Sequence, residues 1–194
     1  MAESPSAQRG RQVRQKLLAS AVELIGEVGW TAVSTRLLAE RAQVRSGLVH
    51  YHFASLQALL REAAMGMIER TLSGTTNLTA DDPGELVDSM LHSLDAFSGR
   101  DPASLVMIET FLAATRDVEL RRELSAVLAR LRGDLAARFA AAGVANPEGS
   151  AVTVLAALDG FVLQKALHSE LDAALVSPAL RRVTASTTKE GEQE

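Results

Sequence analysis

Residues 34–53, STRLLAERAQVRSGLVHYHF, constrain the fold more than any other stretch of the chain. Ser34 is a natural N-cap for a short helix, TRLLAERAQ, in which Leu38, Ala39 and Ala42 share one face. After a tight connection near Gln43 and Val44, a third short helix is expected through SGLVHYHF. Two such helices must cross at a steep angle, so their contact residues must be small, and Ala39 and Ala42 are. Val44 supplies the one apolar point the turn needs, and Val49 the inward residue of the second helix. This is the grammar of a helix-turn-helix, a unit that sets its second helix into the major groove of DNA. Arg45, Ser46 and Gly47 open that helix and offer side chains and backbone N–H groups to phosphates and base edges.

The flanking sequence is helical throughout. From about Gln8, the residues Val13, Leu17, Ala21, Leu24, Ile25 and Val28 recur at spacings of three and four, and Gly29 then ends the run with Trp30 folding back on it. A fourth helix is expected from near Ser55, with Leu59, Leu60, Ala63, Met67 and Ile68 as its stripe. SGTTNLTADDPG (73–84) is the clearest break, with Pro83 opening the next helix. Further helices are expected over 83–98, from Asp101 and Pro102 to about Thr115, over 117–142 up to Gly143, over 147–170, and from near Ser177 and Pro178. Hydrophobic residues make up 47% of the chain and aromatics only 4%, a balance that favours helix packed on helix over strands. The expected fold is all-α. A disordered arm (1–8) precedes a DNA-binding head (9–54) and a connecting helix (55–72). A ligand-binding and dimerisation domain (73–187) and a loose tail (188–194) follow.

Composition closes several other routes. The absence of cysteine removes disulfide scaffolds, thiolate nucleophiles and zinc ribbons. No apolar run approaches the ~18 residues of a membrane span, and the polar start lacks a secretory segment, so a soluble, cytoplasmic protein is expected. His50 and His52, two apart on a helix, point about 200° from each other and cannot share a metal ion. One Tyr and four scattered His residues offer no convergent catalytic set, so neither an enzyme nor a cofactor is expected. The net charge of −4 hides a polarity: residues 1–53 hold seven Lys or Arg against four acids, while the remainder carries a surplus of seven negative charges. A basic head on an acidic body suits a protein that offers one end to a polyanion.

Residues 13–60, with the amphipathic first helix, the GW pair, STRLLAERAQVRSGLVHYHF and SLQALL, resemble the tetracycline-repressor (TetR) family of bacterial transcription regulators. The resemblance implies a phosphate contact for Arg36, against the plainer reading of a solvated arginine. Arg45 and Ser46 open the reading helix, and Arg45 takes either a guanine edge or a phosphate. Gly47 allows close approach of the DNA backbone. Leu48 either meets a thymine methyl or packs on the first helix. Tyr51 and His52 either bond phosphates or close the small core beside Phe53, and His50 stands where the family usually has tyrosine. Other departures are Gln43 at the turn glycine, Arg45 at the small capping residue, whose duty Ser46 would inherit, and Leu56 at a lysine. Arg9, Arg11 and Arg14 form either a flexible phosphate-seeking arm or a solvated tail.

The C-terminal part gives fewer signals. Candidate ligand walls are Met90, Leu94 and Phe97, then Met107 and Phe111, then Leu128 and Leu131, then Leu158, Phe161, Val162 and Lys165, although ordinary core is the plainer reading of each. The helix over 147–170 is apolar over a wider arc than one side needs, which marks it as either a partner surface or a central buried helix. Val152, Leu155, Asp159, Leu163 and Leu167, with Leu180 and Val183 beyond, are the candidate two-fold interface. Asp159 would meet a ligand, pair with Lys165 or a basic residue of a partner, or face solvent. The family resemblance implies a homodimer on a near-palindromic operator, released by a small-molecule effector. An activator, a partner-responsive regulator, and a helical small-molecule binder without DNA function are the rival readings.

Overall fold

A computed structural model describes residues 4–76, 80 and 82–185; the expected tail and part of the 73–84 break lie outside them. Among the described residues the secondary structure is helical, with no strand. The helices are α1 (Pro5–Val28), α2 (Thr35–Arg41), α3 (Gly47–His52), α4 (Leu56–Thr76), α5 (Pro83–Ser93), α6 (Pro102–Ala114), α7 (Val118–Ala141), α8 (Pro147–Lys165) and α9 (Ala173–Val183), with 3-10 turns at Trp30–Ala32 and Leu94–Ala96. None is long and apolar enough to cross a membrane.

Capping residues explain most boundaries. The Ser34 hydroxyl accepts from the Leu37 N–H, Asp82 from Glu85, Asp101 from Ser104, and Asn146 from Gly149, each satisfying an orphan donor of a first turn. Pro83, Pro102 and Pro147 take first-turn positions where no N–H is needed. α1 starts earlier than expected. Pro5 enters it directly after Ser4, so residues 5–8 are helical rather than a loose arm, and Arg9, Arg11 and Arg14 ride on a helix.

Three C-terminal boundaries also differ from expectation. α5 stops at Ser93, whose hydroxyl takes the Met90 carbonyl, and a 3-10 turn replaces the helix expected to residue 98. α8 stops at Lys165, not near 170. There the Arg100 Nε donates to the Ala166 carbonyl at 2.8 Å, and the backbone of Gly99 (φ +74°) lies so close that a Cβ would stand 2.3 Å from the Ala166 nitrogen. α9 begins four residues before Ser177. Asp172 caps it, accepting from Ala174, and Pro178 falls inside the helix rather than at its start.

The chain divides into two compact units that do not follow a single cut near 73–84. The first runs up to Arg70 and takes back Asp101–Leu124; the second holds Thr71–Arg100 and continues from Ser125. Inside the first unit, Leu17, Leu24, Ile25, Leu38, Val49, Leu59, Leu60 and Ile68 are fully buried. α6 packs along α1, closely enough that a Cβ on Gly26 would lie 3.4 Å from the Pro102 carbonyl oxygen. The second unit has its own core, where Leu86, Val87, Met90 and Leu91 of α5 meet Leu135 and Phe139 of α7, Val154, Leu158 and Phe161 of α8, and Leu180 of α9. Arg181 and Ser177 of α9 both bond the Asp88 carboxylate, the arginine at 2.8 Å, which ties α9 to α5.

Candidate nucleic-acid interface

α3, the expected reading helix, is held from behind by its own sequence. Val49 is fully buried and Phe53 nearly so, while Ala39 and Ala42 are buried where α2 must let its neighbours approach. The α2–α3 turn is a Schellman closure: the Gln43 N–H donates to the Glu40 carbonyl and the Val44 N–H to that of Ala39. Gln43 occupies the left-handed position at φ 55°, where glycine is usual; it is the non-glycine residue with positive φ among the described residues. α7 ends with the same pair of bonds, Gly143 to Ala140 and Val144 to Phe139, but with glycine in the left-handed slot.

α2 is clamped to α1. The Arg41 guanidinium bonds both Glu27 oxygens, at 2.8 and 2.6 Å, and one oxygen of Glu23 at 3.2 Å. The side-chain bond from Arg41 holds the Glu27 carboxyl below its usual range, and the bonds to Glu27 and Glu23 raise the guanidinium further above its own. Arg14 is likewise engaged within the protein. It bonds Glu62 on α4 at 2.6 Å and lies 4.7 Å from the centre of the Phe53 ring, so it is not a loose phosphate arm.

What remains outward is the expected reading surface. Arg36, Arg45, Ser46, Gly47, His50 and Tyr51 are exposed, with Leu48 and His52 half-buried between them. Tyr51 is 80% exposed, which removes the alternative of a tyrosine closing the small core beside Phe53. His52 sets its ring edge-on to Tyr51 at 5.0 Å and lies near Gly10 of α1. Ser46 fills the N-cap slot of α3 but has helical backbone angles and makes no capping bond, so it does not inherit that duty; instead Leu48 and Val49 donate to the carbonyls of Arg45 and Ser46. Neither Arg36 nor Arg45 is held in an ion pair among the described residues. A basic, exposed helix start of this kind is suited to phosphates and base edges.

The candidate ligand walls do not form one set. Met107 and Phe111 lie on α6 in the first unit, and the others lie in the second. There Met90 and Leu131 line a cavity of about 270 Å3 together with Leu86, Asp134, Leu135, Ala137 and Arg138. Leu158 and Phe161 are ordinary core, Leu94 packs against that core, and Phe97, Leu128 and Val162 are half-buried. Lys165 reaches the Leu94 carbonyl at 3.5 Å, Asp95 at 3.9 Å and the Phe161 ring, not Asp159.

The candidate interface residues divide by exposure. Val152, Leu163 (52% exposed), Leu167 and Val183 stand open, whereas Leu155 packs against the core. Leu180 is 5% exposed inside the core of its own unit, so it is unavailable to a partner. Asp159 is surface-exposed, yet the surrounding protein removes enough hydration to raise its carboxyl above the usual carboxylate range. Sequence reading missed the exposed Leu175 of α9 and the Arg41 clamp. A signal for the clamp existed in Glu23 and Glu27, which are one helical turn apart on α1.

Residues 17–63 match the family described as bacterial regulatory proteins, tetR family, and residues 81–186 match the tetracyclin repressor-like C-terminal domain. The chain is 35% identical over 69 residues to the class C tetracycline repressor protein of Escherichia coli, covering 36% of this chain and 31% of that protein. It thus spans less than a third of that relative's length. A transcriptional regulator from Rhodococcus sp. shares the fold with a TM-score of 0.78 at 22% identity, over 88% of this chain and 93% of that one. The multidrug binding protein EbrR, solved with malachite green, aligns with a TM-score of 0.67 at 27% identity, over 88% and 96% of the two chains.

Proposed function

The chain belongs to the tetracycline-repressor family of DNA-binding transcriptional regulators, and from that premise we propose that it is a repressor that holds a near-palindromic operator as a homodimer and lets go when a small molecule binds. The observation that carries the reading is the exposed row Arg36, Arg45, Ser46, Gly47, His50 and Tyr51 around a fully buried Val49. Arg36 serves a phosphate, and Arg45 and Leu48 read base edges, with Tyr51 and His52 on flanking phosphates. A single α3 reaches few bases. Two of them, related by a two-fold axis, double the contacts and require half-sites about 34–36 Å apart or wider.

The open apolar side chains of α8, Val152 and Leu163 with Leu167 beyond, support the second copy as the occupant of that face. Support for an effector comes from EbrR, of the same fold and solved with malachite green. The cavity of about 270 Å3 in the second unit is smaller than the ~300–1,000 Å3 that encloses a drug-sized molecule. An effector shifts DNA binding only by its difference in affinity for two states of the protein. Such a regulator works in the cytoplasm, beside the DNA.

The test is enrichment of duplexes from a randomised pool by the full chain at two salt concentrations. Palindromic winners whose affinity falls steeply with salt are expected. Binding with no consensus at either salt would sink the reading.

A further inference from the structure

Trp30, the chain's one tryptophan, sits where α1 hands over to the helix-turn-helix and is tied to two other helices. Its backbone N–H donates to the Glu109 Oε2 of α6 at 2.8 Å, and its indole N–H to the Gln57 Oε1 of α4 at 3.0 Å. The turn it belongs to is set by Gly29 (φ +83°), whose N–H closes α1 on the Ile25 carbonyl. Val33 then runs extended to the Ser34 cap of α2. Five residues thus fix the angle at which α1 delivers α2 and α3.

A 3-10 turn leaves its first N–H groups without partners inside the turn, and the Glu109 carboxylate answers one of them, a charge-assisted bond about twice as strong as a neutral one. Both Glu109 oxygens also lie about 3.5 Å from where a Cβ on Gly29 would stand, so the carboxylate sits beside the turn's glycine as well as its first N–H. α6 is already docked on α1 at Gly26, through Pro102 and Val106. Glu109 adds a second fixed point nearer the turn. It contributes no residue to the reading surface.

We propose that Glu109 is a positioning residue for DNA recognition: by holding the N–H of Trp30 it sets the pitch of the reading helix from α6. This rests on the regulator reading above. A positioning role differs from simple stabilisation in one respect. Loss of the bond lets the head rotate, so the sequence-specific contacts, which need alignment, suffer, while phosphate attraction, which tolerates misalignment, does not.

The experiment uses the full chain with Glu109→Ala and Glu109→Gln, a duplex enriched by the wild-type protein, and a scrambled duplex of equal length. For Glu109→Ala the enriched duplex is expected to bind roughly tenfold more weakly, the scrambled duplex unchanged, and Trp30 emission to shift to the red. Glu109→Gln, whose neutral amide oxygen still accepts, should restore part of the loss on both readouts. Wild-type binding of the enriched duplex by Glu109→Ala overturns the proposal. So does an equal loss on both duplexes, or damage by Glu109→Gln as large as that by Glu109→Ala. If the wild-type chain enriches no duplex, the regulator reading falls and recognition with it, while unchanged Trp30 emission in Glu109→Ala would separately show that the carboxylate does not hold the turn.

Discussion

At the residue scale, Gly47 separates packing from function most cleanly. Nothing lies within 4 Å of where its Cβ would stand, so the protein itself has no need for glycine there. Gly47→Ala should therefore stabilise α3 by roughly 0.5–1 kcal/mol in thermal melts. The same methyl group would obstruct a DNA backbone, so affinity for the selected duplex should fall while stability rises. If both improve together, DNA does not approach at Gly47. The two arginines separate differently. Arg45→Ala should relax the preferred sequence at one position, at a cost of about 1–3 kcal/mol. Arg36→Ala should weaken all duplexes alike and flatten the salt slope by about one unit. Asp159 carries the pH signature. Its carboxyl is raised in the folded chain by lost hydration, so the fold binds that proton more tightly than the unfolded chain does. Stability is then lost as pH rises from the ordinary carboxylate range through the raised value. Asp159→Asn should raise the melting temperature at pH 7 and leave it unchanged near pH 3.

Among the elements, the paired Schellman closures at Gln43 and Gly143 form a natural comparison, with the same bonds and different residues in the left-handed slot. Gln43 is exposed and has no packing to lose. Gln43→Gly should stabilise the head by about 1 kcal/mol, measured by chemical denaturation. Local chemistry of this kind was legible in the sequence. Ser34, Asp101 with Pro102, and Gly143 gave their boundaries because each cap acts on its own first or last turn. The end of α8 was not legible, because distant partners set it. Arg100 and Gly99 press on Ala166 from 66 residues or more away in the chain, and nothing in the apolar pattern of 147–170 records that. The clamp from Arg41 to Glu27 and Glu23 was half legible: two acids one turn apart on α1 mark a cation's seat, but an arginine in this head looks alike whether it faces DNA or α1.

For the whole molecule, the helix-turn-helix was readable because its residues are contiguous, and the second unit was not because its walls come from helices far apart in sequence. Leu158 and Phe161, candidate ligand walls with core as the plainer reading, lie in the core, and so does Leu180, a candidate interface residue. The exposed Leu163 is the sharper probe of assembly. Leu163→Arg should convert a dimer to monomers in sedimentation and weaken the enriched duplex roughly a hundredfold, as two coupled half-sites become independent. Unaltered sedimentation would move the two-fold axis elsewhere. The chain also crosses between its units three times, after Arg70, Arg100 and Leu124. The head is consequently not a detachable cassette. A chimera that transplants only the residues before the 73–84 break onto a foreign body would strip α1 of the helix lying along it and pull the Glu109 carboxylate away from Trp30. Anyone re-wiring this regulator would need to carry 101–124 along as part of the graft.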